Sequence, residues 1–295
     1  MSEFSDLHFK SDQVKIGTFY CPVHHPIFAY AGEMDGYNIV FPRTMVKIVQ
    51  EGRAPVVADP NVVMFYNKGQ AYQRGKVSEQ GDLCDWFEFD HTAVLDAVRT
   101  CDPQVDRHYP EPFCFTHGLS GSSIYLQQRR LIHYLRQTNA PDPLFVEEVA
   151  FAILQQALAT VYKSERVLSS SQSHHPHHDL VHEVKTFLAA RFKETVTLQD
   201  IATAVYTSPY HLSRIFRKYT GLTIHNYLNQ LRLRASLGYL AQTDVQLTDL
   251  GLELGYSSHS HFTQAFRRTF GTAPSDFRAT ASSKRIQEMS KILIA

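Results

Sequence analysis

The C-terminal part of the chain repeats itself at a step of about fifty residues, and this repeat limits the possible folds more than any other feature. Two similar runs begin at Ser208 and Ser258, and in both the apolar residues recur at helical spacing before a closing glycine. A shorter amphipathic run, beginning at Leu198 or Leu247, precedes each of them. Self-similarity at a fixed step indicates that one supersecondary unit occurs twice.

Each unit is predicted to consist of two helices joined by a short turn. In the first copy, Thr197 is a suitable N-cap for the leading helix. Ser208 and Pro209 are typical of the N-cap and first position of a second helix, and Gly221 is typical of its C-terminal end. Two short helices around such a turn describe a helix-turn-helix.

The exposed face of each second helix indicates a DNA-reading surface. Residues at the start of such a helix reach base edges, and basic residues near its end suit phosphates. A single charged helix face is more often an ordinary solvated surface, but two copies in register favour contact with DNA. The candidate DNA-binding residues are Tyr210, His211, Ser213, Arg214, Arg217 and Lys218 in the first copy, and His259, Ser260, His261, Thr263, Gln264, Arg267 and Arg268 in the second.

A long helix is predicted between the copies, over Thr223–Ala241. At ~1.5 Å per residue it measures roughly 28 Å. A rigid spacer of this order can place two recognition helices about one DNA turn, ~34 Å, apart.

This stretch resembles the DNA-binding domain of AraC/XylS-type transcription regulators. The resemblance lies in three runs, Leu198–Ala202, Ser208–Lys218 and Leu254–Arg278. It implies two helix-turn-helices joined by a helix, in a regulator that more often activates than represses. Two residues depart from the family pattern, because Tyr206 stands where the first turn usually has glycine and Gly251 where alanine is usual. Neither is a DNA-facing position, so we expect them to affect local stability.

Length and charge predict two domains. The net charge is zero, but residues 1–178 carry 15 Lys and Arg against 20 Asp and Glu, whereas residues 179–295 carry 14 against 9. An acidic first part and a basic second part are consistent with a nucleic-acid-binding domain attached to a partner domain. We therefore divide the chain into a sensor or dimerisation domain (1–168), a Ser/His-rich linker (169–178), the DNA-binding domain (179–280) and a tail (281–295).

The N-terminal region reads as short strands followed by helices, so the fold class is α+β. Residues 1–12 are polar and are expected to be frayed. Strands are predicted at Val14–Cys21, Tyr37–Phe41, Thr44–Gln50, Val62–Tyr66, Ala71–Val77 and Cys84–Phe89. Such spacing suggests a small barrel or sandwich, and by family resemblance a cupin-like barrel. A helical hairpin, Ser122–Gln137 and Leu144–Tyr162, follows; it can serve as a dimer surface or only pack on the barrel.

The sequence carries no convincing metal, cofactor or catalytic motif. His24 and His25 are adjacent, so on a strand they would point to opposite faces. The cysteines Cys21, Cys84, Cys101 and Cys114 lack a C-x-x-C spacing and are expected to be buried thiols, with redox sensing or metal binding as the alternative. The histidines of His174–His178 lie in the linker, where a tether is favoured over a metal site.

The leading hypothesis is a cytoplasmic, DNA-binding transcription regulator that is not an enzyme. Its expected partners are double-stranded DNA, a small-molecule effector, a second copy of the chain and RNA polymerase. No signal peptide and no apolar run of membrane-span length is expected. Two alternatives remain open: an enzyme whose barrel is catalytic with DNA binding as an appendage, and a regulator whose barrel only dimerises.

Overall fold

The computed structural model describes residues 4–105, 110–168, 177–241 and 245–280. Residues 4–168 and residues 177–274 each form a compact unit. The first unit combines strands and helices, and the second is helical, so the α+β class is confirmed.

The first unit contains two antiparallel sheets. The six-stranded sheet has the order β1-β2-β9-β4-β7-β10, and the four-stranded sheet has the order β3-β8-β5-β6. The strands are β1 (Ser5–Lys10), β2 (Val14–Cys21), β3 (Gly32–Glu33), β4 (Tyr37–Pro42), β5 (Val46–Gln50), β6 (Val56–Ala58), β7 (Val62–Tyr66), β8 (Ala71–Lys76), β9 (Asp82–Phe89) and β10 (His117–Leu119).

All six predicted strands are present, but the frayed N-terminus predicted for residues 1–12 is wrong. Strand β1 pairs antiparallel with β2, and its Phe9 is buried. The pattern of β1 is mostly polar, because it lies at the edge of the sheet with little side-chain burial. Its pairing partner lies beyond a turn, so hydrophobicity alone did not reveal it.

The two sheets are not joined into a closed barrel. Each keeps its own pair of edge strands, β1 and β10 in one sheet and β3 and β6 in the other. Closure requires that every strand has two neighbours. The predicted cupin-like barrel is therefore corrected to two sheets that enclose a core.

Strand β9 lies inside the six-stranded sheet and uses both of its faces. Because successive side chains of a strand alternate, one face carries Asp82, Cys84, Trp86 and Glu88, which line a space between the two sheets. The other face carries Asp85, Phe87 and Phe89, all buried. Arg129 of a helix donates a hydrogen bond to Asp85, 2.7 Å from Nη1 to Oδ2, so this face is covered by helices.

The helices of the first unit follow the sheets. They are α1 (His91–Arg99), α2 (Ser122–Gln137) and α3 (Pro143–Leu168). Helix α2 matches its predicted bounds, and α3 extends beyond them. A stripe of α3 at helical spacing is fully buried, at Val146, Ala150, Ile153, Leu154, Ala157 and Leu158.

Helix α3 also corrects one expectation. Over Pro143–Lys163 it is long and apolar enough, with a mean hydropathy of 1.5, to cross a membrane by length and composition alone. The sequence expectation that no apolar run reaches that length is wrong. Helix α3 packs against α2, α1 and β10, and the core helix of a soluble protein passes the same test.

The second unit contains helices that match the predicted repeat. They are α4 (His177–Arg191), α5 (Leu198–Ala204), α6 (Pro209–Thr220), α7 (Ile224–Leu240), α8 (Leu247–Glu253) and α9 (His259–Phe270), and α10 (Pro274–Thr280) follows. Helix α4 begins two residues earlier than predicted, inside the His174–His178 tract; residues 169–176 and the tail 281–295 lie outside the described residues.

Candidate nucleic-acid interface

Helices α6 and α9 are built with the same start and the same end. The Ser208 hydroxyl accepts a hydrogen bond from the amide of His211, and the Ser258 hydroxyl accepts one from the amide of His261, at 3.2 and 3.1 Å. Both helices end at a left-handed glycine with φ 71°, which any other residue would strain. The repeat therefore produces two helices of twelve residues each.

The inner face of each of these helices packs in the unit's core. Leu212 and Phe216 of α6 correspond to Phe262 and Phe266 of α9, and all four are at most 1% exposed. Phe216 meets the ring of Tyr227 on α7 edge to face, at 5.3 Å between centroids. Because one face is fully buried, the opposite face is held outward in a fixed rotation.

The predicted DNA-binding residues all lie on α6 and α9, and most of them are on the outward face. Tyr210, the first large side chain of α6, is 80% exposed. The exposed residues are Tyr210, Ser213, Arg214, Arg217 and Lys218 on α6, and Ser260, His261, Gln264, Arg267 and Arg268 on α9. The remaining three are only half-exposed, and each makes a contact inside the unit.

The half-exposed residues of α9 hold its N-terminus to α8. The His259 Nδ1 atom is 2.9 Å from the Leu247 carbonyl oxygen, and its Nε2 atom is 3.4 Å from the Thr263 hydroxyl. His261, although exposed, has its Nδ1 atom 3.0 Å from the Ser257 hydroxyl. Since both histidines already have partners, Ser260 and Gln264 are the exposed, uncharged side chains of α9 that have no hydrogen-bond partner among the described residues.

His211 on α6 is half-buried beside helix α4. Its ring lies 5.6 Å from the ring of His177, between centroids. His177 belongs to the tract that the sequence assigns to the linker, and here it is the first residue of α4. One member of the histidine tract is therefore a packing residue of the second unit.

Both helices end in a pair of cations. Arg217 and Lys218 lie in the last turn of α6, and Arg267 and Arg268 lie in the last turn of α9. All four are exposed, and none of them makes an ion pair with a carboxylate among the described residues. Unpaired, exposed cations at matching positions are free to contact phosphates.

Arg232 of α7 joins elements on both sides of the linking helix, and sequence analysis missed it. Its guanidinium donates to three backbone carbonyls, from Nε to Phe192 O at 2.6 Å, from Nη2 to Glu194 O at 2.7 Å and from Nη1 to Gly255 O at 2.9 Å. Gly255 lies in the turn before α9, whereas Phe192 and Glu194 follow α4. The helical spacing of the apolar residues in α7 does not reveal the role of Arg232, because its partners are main-chain atoms.

The two turns before α6 and α9 use the same left-handed backbone. Tyr206 has φ 52° and Gly255 has φ 81°. The same turn hydrogen bonds surround both, from Thr207 N to Ala202 O and from Tyr256 N to Gly251 O. Tyr206 is 98% exposed, so its ring gains no packing in this unit to offset a conformation that disfavours a side chain.

The second family departure, Gly251, has a packing reason. A Cβ atom built on Gly251 would lie 2.9 Å from the Cβ atom of Phe262, closer than real Cβ atoms approach. Helices α8 and α9 therefore lie closer together at this point than a side chain larger than hydrogen allows.

The cysteines provide no shared site. No disulfide joins the four cysteines, all of which lie among the described residues; Cys21 and Cys84 are buried, as expected, but Cys101 is only half-buried and Cys114 is exposed. Burial raises the pKa of the Cys84 thiol well above its ordinary value. Among the described residues no three His, Cys, Asp or Glu side chains are grouped to hold a metal ion.

Comparison with known proteins places the repeat in a known class. A family described as "Helix-turn-helix domain" matches residues 201–280. The bifunctional transcriptional activator/DNA repair enzyme AdaA of Bacillus subtilis is 28% identical over 128 residues, which are 43% of this chain and 61% of AdaA. The transcriptional activator RhaS of Enterobacter sp. strain 638 is 28% identical over 200 residues, 66% of this chain and 65% of RhaS.

Part of the chain is also similar to a solved structure. An AraC-type DNA-binding domain protein from Chromobacterium violaceum is 30% identical and covers 36% of this chain and 96% of its own, with a TM-score of 0.34. The chain spans less than two thirds of the length of the first curated relatives that it matches.

Proposed function

Since the chain belongs, through its paired helix-turn-helix units, to the AraC/XylS-type family of transcription regulators, we propose that it binds a specific double-stranded DNA sequence and regulates transcription there. The observation that carries the proposal is the matched pair α6 and α9. Each has one buried face, one outward face and an unpaired pair of cations in its last turn. A DNA reader needs this combination of rigid placement and free charge.

The geometry of α7 supports a two-part DNA site. The helix has 17 residues, or ~26 Å at ~1.5 Å per residue. Arg232 on α7 ties the turn before α9 to the end of α4 through main-chain carbonyls. A spacer fixed in this way favours two contact regions about one helical turn of DNA apart.

We extend the proposal to the first unit in line with the sequence hypotheses. It acts as the sensor and the dimerisation unit, with the α2–α3 hairpin as the surface for a second copy, and a cupin-like relationship stays a prediction. The protein works in the cytoplasm, responds to a small molecule and activates transcription by contact with RNA polymerase. The curated name of the RhaS relative, an activator, supports that sign of regulation.

We propose that the chain is a regulator and not an enzyme. AdaA is named as a bifunctional activator and repair enzyme, so relatives of this class can carry a second activity. Among the described residues, no observation favours a catalytic role over a regulatory one.

The proposal is tested by selection of bound fragments from random double-stranded DNA with the full-length chain. The expected result is enrichment of a site with two conserved segments about ten base pairs apart, and an affinity that falls as salt rises through release of counterions. As a control, the variant Lys68→Ala, which changes an exposed lysine of the first unit, is expected to enrich the same DNA sequences as the wild type. Failure to enrich any sequence at low salt would contradict the proposal.

A further inference from the structure

The first unit contains a cavity of about 520 Å³ between its two sheets. Strands β2, β4, β7 and β9 of one sheet and β5 and β8 of the other contribute to its wall. It runs along β9 from Asp82 to Glu88, a distance of ~20 Å at ~3.3 Å per residue. Volumes of this size accommodate drug-sized ligands.

Most of the wall is apolar or aromatic. Val40, Val46, Ile48 and Met64 are buried members of one hydrophobic cluster that faces the cavity, and Phe19, Tyr72 and Trp86 pack against that cluster. The body of an occupant must therefore be apolar over most of its length, because polar groups there would lose their hydrogen bonds to water.

Four of the six charged side chains of the wall form two ion pairs. At one end Arg74 Nε donates to Asp82 Oδ2 at 2.7 Å, with both side chains less than a tenth exposed. At the other end Lys15 binds Glu88 at 2.6 Å. The remaining charged residues of the wall, Glu33 and Asp35, are both acidic and exposed. An anion therefore meets no unbalanced positive charge, and a cation at the buried end meets Arg74.

The Arg74 end of the cavity contains a tyrosine hydroxyl that an occupant can reach. Tyr66 is 3% exposed, and its hydroxyl has no hydrogen-bond partner among the described residues. Burial raises the pKa of Tyr66 well above its ordinary value, so the hydroxyl keeps its proton and remains a donor. The Arg74 Nη2 atom donates a hydrogen bond to the Tyr72 hydroxyl at 2.6 Å, and the ring of Tyr72 lies 5.4 Å from that of Tyr66, between centroids.

We propose that this cavity binds an uncharged amphiphilic molecule, with its apolar body between the sheets and one hydroxyl, carbonyl or amide group at the Tyr66 hydroxyl. Neutral polar groups match an end where the protein's own charges are already balanced, whereas a buried carboxylate or ammonium group would be left without a counter-charge. The inference rests on the proposed function in that we take this molecule to be the effector.

The chain carries its own reporter for this site. Trp86 is the single tryptophan of the chain, and it lines the cavity. Its emission therefore reports occupancy directly, without reference to DNA. The probes are 1-octanol, octanoate and octylamine at neutral pH, which share one alkyl chain and differ in charge.

We expect 1-octanol to change the Trp86 emission of the full-length chain saturably, and octanoate and octylamine to bind about ten-fold more weakly. Tyr66→Phe removes the free hydroxyl but keeps the ring, and lowers the affinity for 1-octanol several-fold. Equal or tighter binding of either charged probe, or no saturable change with 1-octanol, overturns the inference.

Asp82→Asn provides an independent test through charge preference. The change leaves Arg74 without its carboxylate, so octanoate is expected to bind more tightly than 1-octanol in this variant. An unchanged order of affinities contradicts the inference. If Asp82→Asn does not fold, Tyr66→Phe still decides the question.

A DNA-binding titration on the same preparations separates the two proposals. Sequence-specific DNA binding without a Trp86 response to 1-octanol overturns the cavity inference alone. A Trp86 response without sequence-specific DNA binding supports the cavity inference and overturns the proposed function.

Discussion

Asp82 and Asp85 lie three residues apart on β9 and point to opposite faces of the strand, where each binds an arginine from a different element. Asp82 meets Arg74 of β8, on the side of the cavity, and Asp85 meets Arg129 of α2, on the side of the helices. One strand thus holds a buried ion pair on each face.

The surroundings of these two carboxyl groups shift their pKa values in opposite directions. Burial raises the pKa of Asp82 despite the charge of Arg74. Burial also opposes ionisation of Asp85, but the charges of Arg129 and Arg43 outweigh it and lower the pKa of Asp85. Asp85 is therefore the carboxylate whose charge stabilises the fold.

The first prediction concerns the stability that the Asp85–Arg129 pair confers. Asp85→Asn leaves Arg129 buried without its counter-charge, and we expect a loss of about 3–5 kcal/mol in the free energy of unfolding. Urea denaturation followed by Trp86 emission measures it. Asp96→Asn is the matched control, because Asp96 binds Arg99 at the same 2.7 Å on the surface and should cost less than about 1 kcal/mol. Similar losses for both variants would refute a special role for burial.

The second prediction follows from the lowered pKa of Asp85. A carboxyl group with a depressed folded-state pKa stabilises the fold fully above its unfolded pKa of about 3.9, and this contribution disappears as the pH falls through the folded-state value. The difference in unfolding free energy between wild type and Asp85→Asn should be constant above about pH 5 and should shrink at lower pH. Urea titrations at several pH values test this, and a difference that grows on acidification contradicts it.

The third prediction concerns Arg232 as the residue that fixes the spacing of α6 and α9. Arg232→Lys keeps the charge but loses the guanidinium fork, with an expected cost of about 3 kcal/mol to the second unit. Affinity for a two-part DNA site should fall more than affinity for either half. Arg191→Lys, at an exposed arginine, is the control. Equal losses on whole and half sites would show that Arg232 stabilises the unit without setting the spacing.

The fourth prediction assigns different roles to two exposed arginines. Arg214 lies one turn after Tyr210, where a bidentate base contact is worth about 1–3 kcal/mol, so Arg214→Ala should relax base preference at one position. Arg268 lies in the last turn of α9, where Arg268→Ala should weaken binding on every sequence and reduce the salt slope by about one. Site selection with each variant distinguishes the roles; unchanged preferences for Arg214→Ala would contradict this assignment.

The fifth prediction concerns the strained turn at Tyr206. Tyr206→Gly removes the left-handed penalty on a side chain that packs against nothing, and glycine's own entropy offsets part of the gain. We expect the unfolding free energy of the second unit to rise by about 0.5–1 kcal/mol. Tyr210→Gly, inside the first turn of α6, is the control and should be destabilising. A loss of stability in Tyr206→Gly would show that the exposed ring has a partner.

The second unit was predictable from sequence because its signals are local. Ser208, Pro209 and Gly221 specify the ends of α6 within a few residues of the positions that they determine. The same periodicity predicts the outward face of α6, because the apolar positions mark the buried face and the remaining positions must face outward. The periodicity did not predict the contact between His259 and the Leu247 carbonyl, because that contact joins two helices.

The first unit was predicted less completely because its determinants are non-local. Arg74 and Asp82 are close in sequence, but they line a cavity only because the two sheets pack face to face. The Asp85–Arg129 pair joins residues 44 positions apart. Alternation along β9 predicts two faces, but it does not say which arginine each carboxylate meets.

The close approach of Gly251 and Phe262 has an evolutionary consequence. In the first copy the corresponding pair is Ala202 and Leu212, and both are fully buried. An alanine moved from the first copy to position 251 would meet Phe262 at 2.9 Å, so it is tolerated only if the phenylalanine changes as well. At this position the two copies have thus diverged so that the residue of the first copy does not fit the second copy without a change in its neighbour.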